Sequence, residues 1–115
     1  MVYTPRQGDI ITMDFDPTRG HEQRGHRPAV VVSNATYNKY GRGTALVCPI
    51  TNTDRGVPIH IRLDNRTVTM GVIMTEQIKA LDLTKRNPIY IERIPYDVLC
   101  NICDIVSGFT EIEND

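Results

Sequence analysis

Apolar residues recur at helical spacing over a long stretch only once in this 115-residue chain. That stretch runs from Pro95 to Phe109, where Val98, Leu99, Ile102, Ile105, Val106 and Phe109 fall on one stripe and Asp97, Asn101 and Asp104 face away. Pro95 suits a first helical position, and Asp97 places an anion near the positive end of the helix dipole. A single late helix has no helical partner against which to bury its stripe. The residues before it must therefore supply a sheet for it to cover.

Those residues read as short strands. Asp9 to Phe15 alternates, with Ile11, Met13 and Phe15 on one face of a half-buried strand. Arg27 to Ser33 holds the β-branched run Val30-Val31-Val32, suited to a central strand covered on both faces. Asn34 to Tyr40 suits a helical turn, stopped by Gly41-Arg42-Gly43. Thr44 to Thr51 forms the third strand, in which Pro49 marks a bulge, an edge or the end of regular pairing. Ile59 to Leu63 and Ile89 to Ile94 alternate cleanly, and Thr69 to Lys79 is long enough that one strand there must bend or bulge. The expected fold is mainly β with a C-terminal helix: a small curled antiparallel sheet or barrel, one domain over residues 1–115, with an acidic tail from about 110 to 115.

Composition excludes more than it identifies. Hydrophobic residues at 40% and charged residues at 23% are ordinary for a packed domain. The net charge of -1 gives no overall basic character, but residues 1–60 carry seven Arg or Lys against five Asp or Glu, and residues 61–115 carry six against nine. A phosphate-binding surface is therefore expected on the first half. The first residues lack an apolar signal core and no stretch is long enough to span a membrane, so a cytoplasmic location is expected. Cys48, Cys100 and Cys103 cannot all pair, and Cys100-x-x-Cys103 lies in the predicted helix without a second ligand pair. Packing rather than metal binding is expected of them, with no cofactor.

The loop from Thr18 to His26 has no large apolar residue and is rich in groups that carry chemistry. RNA can be cut without a metal through its own 2′-hydroxyl. A base must take that proton, a cation must hold the charge on phosphorus, and an acid must protonate the leaving 5′ oxygen. Arg27 offers a planar, permanently charged fork at a loop-to-strand junction, and Pro28 restricts its backbone to an extended shape. Glu22, His21 and His26 are each able to carry a proton. Thr51 offers a hydroxyl at the end of the third strand.

These residues fall in ordered blocks that resemble the MazF/PemK family of toxin ribonucleases over nearly the whole chain. Gly8-Asp9, Asp14-Phe15-Asp16-Pro17, Gly20-His21-Glu22-Gln23 and Gly25-His26-Arg27-Pro28-Ala29-Val30-Val31 come first. Cys48-Pro49-Ile50-Thr51, Gly56-Val57-Pro58 and Glu76-Gln77-Ile78-Lys79-Ala80-Leu81-Asp82 follow. The resemblance implies a small SH3-like barrel, generally a homodimer, that cuts single-stranded RNA to a 2′,3′-cyclic phosphate and a 5′-hydroxyl. It assigns Arg27 to charge stabilisation and proton donation, Thr51 to holding the phosphate, and Glu22 to the base with His21 second. RNA contacts are expected from Gln23, Arg24, His26, Asn52, Thr53, Glu76 and Gln77, and Tyr37 and Tyr40 offer faces on which bases can stack. Some PemK-like members use an Arg and an Asp on the fifth strand, where this chain has Met74 and Glu76. The implied partner is an antitoxin whose disordered acidic tail occupies the RNA groove. The alternative is a CcdB-like gyrase-binding toxin of the same fold, which relies on a C-terminal tryptophan; this chain has no Trp.

Overall fold

The computed structural model describes residues 3–14 and 26–114. Seven strands and two helices follow one another as β1 (Asp9–Asp14), β2 (His26–Val31), α1 (Ala35–Tyr40), β3 (Thr44–Thr51), β4 (His60–Arg62), β5 (Val72–Met74), β6 (Lys79–Asp82), β7 (Ile89–Arg93) and α2 (Tyr96–Gly108). All pairings are antiparallel, in the order β4-β5-β3-β2-β1-β7, with β6 also on β3. β3 is the spine. One edge pairs with β2 through Val31↔Val47, Val30↔Cys48 and Ala29↔Pro49. The other edge pairs first with β6, from Thr44↔Asp82 to Val47↔Lys79, and then with β5 at Ile50↔Ile73 and Thr51↔Val72. Pro49 lies where β3 changes partner, so its missing amide hydrogen leaves no ladder acceptor unmet.

The single strand expected over residues 69–79 is instead β5, a 3-10 turn at Thr75–Gln77, and β6. The turn lets one segment serve both halves of the β3 edge. A second difference concerns β1, which is not half-buried: Ile10 and Ile11 are both fully buried, on opposite faces. Ile10 joins Val30, Cys48 and Ile50 beneath α2, whose Val98, Leu99 and Ile102 close that side. Ile11 and Met13 join Ala29, Val31, Val47 and Leu83 on the other side. The two-sided burial expected of Val30-Val31-Val32 follows from the same layering. The helix stripe fades at its end, since Ile105 and Val106 are partly buried and Phe109 is exposed.

The sheet curls without closing into a complete barrel. Its terminal strands are β4 and β7, and no backbone ladder joins them among the described residues. Instead the Glu92 carboxylate on β7 accepts hydrogen bonds from the Val68 amide at 3.1 Å, and from the Thr69 amide and hydroxyl at 2.8 Å each. Residues 68–69 belong to the link between β4 and β5, so one side chain bridges the two ends. Arg66 on the same link forms a two-bond fork with Asp97 at the start of α2 and also bonds Asp64. Asp97, expected simply to face solvent, thus ties helix to sheet.

Cys48 is buried in the core beneath α2, and burial, with smaller contributions from Cys103 and Glu76, pushes its thiol up to about 12. Cys103 packs against the same cluster, and it and Cys100 are free and half-buried. No helix among the described residues is long and apolar enough to cross a membrane.

Candidate active site

β2 begins where β3 ends, and this overlap makes the site. Strand alternation puts Arg27 on the face that carries Met13, Ala29 and Val31, away from α2. On β3 the same face carries Val47, Pro49 and Thr51. Arg27 is held by its pairing with Met13 and by Pro28, which pairs with Thr12. Arg27 is exposed. Thr51 is half-buried, and its hydroxyl oxygen accepts the Thr53 amide at 3.2 Å, leaving its own proton to donate.

Between them lies a cavity of about 360 Å³ lined by Arg27, Pro49, Ile50, Thr51, Met74, Gln77 and Lys79. Two cations and no carboxylate line it among the described residues. It is a place for an anion, with an arginine fork able to take two phosphate oxygens and with hydroxyl and amide donors beside it.

Two features fix its far wall. Gly71, at φ +117°, sits so close to Thr51 that a Cβ there would lie 2.3 Å from the Thr51 carbonyl oxygen. Only glycine allows β5 to begin at that distance. The Thr75–Gln77 turn then carries Met74, Gln77 and Lys79 to the cavity. Thr75 is fully buried and its hydroxyl donates to the Ile59 carbonyl at 2.8 Å.

The residues named from the sequence divide into three groups. Arg27, Thr51 and Gln77 come together. Glu22, His21, Gln23 and Arg24 lie outside the described residues. His26, Asn52, Thr53 and Glu76 do not line the cavity. His26 sits on the opposite sheet face from Arg27, with Nε2 3.2 Å from Asp14 and Nδ1 3.4 Å from Thr12. Asn52 lines a smaller pocket of about 180 Å³ with Asp54, Arg62 and Gly71, and the exposed Thr53 meets Thr51 through its amide. Glu76 turns to His60, whose Nε2 is 2.9 Å from both carboxylate oxygens. Partial burial raises the Glu76 carboxyl, but hydrogen bonds from His60, the backbone and Gln77 outweigh it and hold the group below its ordinary value. α1, with Tyr37 and Tyr40, lies at the Thr44 end of β3, about 23 Å from Thr51 at strand rise, so neither ring reaches the cavity.

Lys79 and Gly71 were not singled out from the sequence, and Met74 was named only as standing where some PemK-like members have an Arg. The one available signal for Lys79 was its alternation with Leu81, which places both on the face where Leu81 packs.

Residues 6–108 match the family model described as PemK-like, MazF-like toxin of type II toxin-antitoxin system. The chain is 43% identical over 79 residues to the endoribonuclease toxin MazF of Escherichia coli strain K12, covering 69% of each protein. It is 33% identical over 97 residues to the endoribonuclease PemK of Escherichia coli, covering 81% of this chain and 72% of that one. Its fold superposes on a MazE-MazF crystal structure from Deinococcus radiodurans with a TM-score of 0.82 and 26% identity, over 97% of this chain and 100% of the other.

Proposed function

The chain belongs to the PemK-like, MazF-like toxin family of type II toxin-antitoxin systems, and on that premise we propose that it cuts single-stranded RNA in the cavity between Arg27 and Thr51. Its activity is that of an endoribonuclease, as in the relatives named above. The gyrase-binding alternative is not favoured, because the family model and these relatives name ribonuclease toxins.

One observation carries the placement: Arg27 and Thr51 share one sheet face and one cavity with Lys79 and Gln77. A scissile phosphate seated there meets the Arg27 fork on its two non-bridging oxygens and the Thr51 hydroxyl on one of the same two. The ribose 2′-oxygen attacks phosphorus, the bond to the 5′-oxygen breaks, and the products are a 2′,3′-cyclic phosphate and a 5′-hydroxyl. The 2′ proton goes to a base, Glu22 in this reading with His21 second, and Arg27 gives a proton to the leaving 5′-oxygen. Negative charge rises on the phosphoryl oxygens during attack, which is where a fixed guanidinium acts most strongly. No step draws on a cofactor.

A homodimer with RNA along its interface and a cognate antitoxin complete the reading. The MazE-MazF complex from Deinococcus radiodurans supports the antitoxin partner. The pair of cations in the cavity suits an acidic, disordered antitoxin tail competing with RNA.

The experiment is cleavage of an unstructured RNA by the purified protein in EDTA, beside the same RNA with one deoxyribose at the cut site. Cleavage of the first and not the second is expected. A requirement for magnesium, or cutting at the deoxyribose, overturns the mechanism.

A further inference from the structure

Three of the seven cavity-lining residues, Met74, Gln77 and Lys79, come from the segment built around the Thr75–Gln77 turn. That turn has no side-chain cap of its own. Besides packing against β3 and α2, it is tied by two side-chain bonds to the start of β4: the Thr75 hydroxyl donates to the carbonyl of Ile59, just before that strand, and the Glu76 carboxylate meets the His60 ring. His60 also pairs with Met74 in the β4–β5 ladder. One residue thus grips both the start of the turn and its exposed carboxylate.

The surroundings of the ring indicate what it does. The His60 side chain is 6% exposed, and among the described residues its buried Nδ1 has no hydrogen-bond partner. Here Nδ1 has no acceptor, so the ring donates through Nε2, and that proton goes to Glu76.

We propose that His60 is a positioning residue for RNA cleavage: through Glu76 it fixes the Thr75–Gln77 turn and so holds Gln77 at the cavity of Arg27 and Thr51. The proposal rests on the reading of that cavity as the cleavage site. Glu76 is then a strut, neither acid nor base, and the His60–Glu76 pair stands behind the site without touching RNA.

The test is a double-mutant cycle on kcat/KM for RNA cleavage, with melting temperature recorded for every variant. His60→Phe keeps a buried ring and removes the donor, and a loss of about tenfold is expected from a misplaced Gln77. Gln77→Ala is expected to lose a similar factor, and the double variant to stay within about twofold of either single one. His60→Gln, which restores an N–H donor, recovers most of the activity. Glu76→Ala, at a partly exposed carboxylate, repeats the loss and its non-additivity even if the buried substitution fails to fold. Independent, multiplying losses from Glu76→Ala and Gln77→Ala overturn the proposal, as does wild-type activity in a folded His60→Phe variant. Failure of the underlying reading looks different: the wild type does not cut RNA, or Arg27→Ala still does.

Discussion

Arg27 and Thr51 stand two residues beyond the Ala29↔Pro49 pair on adjacent antiparallel strands, so the same register that builds the core brings a guanidinium and a hydroxyl to one face of the sheet. The core and the site are two stretches of one ladder. Residues 29–31 pack in the core, and Arg27, two residues before them, lines the cavity.

Arg27→Ala is therefore expected to separate activity from stability. The side chain is exposed, so melting should shift little. The rate should fall by about two to three orders of magnitude, the range for losing a charge-stabilising donor. Arg27→Lys keeps charge without the two-pronged fork and should recover only part of the rate. Single-turnover cleavage beside thermal melting checks both; a rate within twofold of wild type would remove Arg27 from the site.

Gly71→Ala should act on Thr51 from behind. The added Cβ would meet the Thr51 carbonyl oxygen at 2.3 Å, in a backbone region at φ +117° that alanine avoids. Either β5 or the end of β3 must move. A loss of about 1–3 kcal/mol in stability is expected from such strain, with a fall in cleavage beyond what the unfolded fraction explains. Urea unfolding paired with activity measured far below the midpoint separates the two effects.

Lys79 reaches the cavity from β6, and its ammonium should bind phosphate as a point charge. Lys79→Ala is expected to weaken RNA binding and to reduce the slope of log affinity against log salt by about one. An unchanged slope in RNA titrations at several salt concentrations would show that Lys79 does not neutralise a phosphate.

How legible all this was in the sequence depended on distance along the chain. Val30-Val31-Val32 announced a central strand because β-branched residues with no polar alternation suit burial on both faces. Arg27 and Thr51 were visible because each sits at the end of a strand whose pattern was clear. Lys79 was not visible, since it joins Thr51 only because β3 exchanges β6 for β5 at Pro49, a change of partner that no local pattern encodes. Nor was His60, which looks like one more member of an alternating strand until Glu76 folds back on it. Glu92 showed the same limit at the scale of the fold. Its neighbours predicted a strand, and only the curl of the sheet makes it the bridge between the two ends.

That bridge predicts how the fold responds to acid. Partial burial raises the Glu92 carboxyl, but bonds from the Thr69 amide and hydroxyl and the Val68 amide more than offset this and leave it below its ordinary value. A carboxyl held lower in the folded state than in the unfolded one binds fewer protons when folded. Its contribution is therefore present in full above the unfolded value, near 4.3 for glutamate, and is lost as pH falls toward and through the lower folded value. Glu92→Gln keeps one acceptor oxygen for three donors, and a loss of about 1–3 kcal/mol at neutral pH is expected. The difference in stability between wild type and variant should shrink below about pH 4, where the wild-type carboxyl also becomes protonated. Denaturant unfolding of both proteins from pH 7 to pH 3 measures it. A difference that stays constant over that range would mean that the bridge depends on the shape of the side chain and not on its charge.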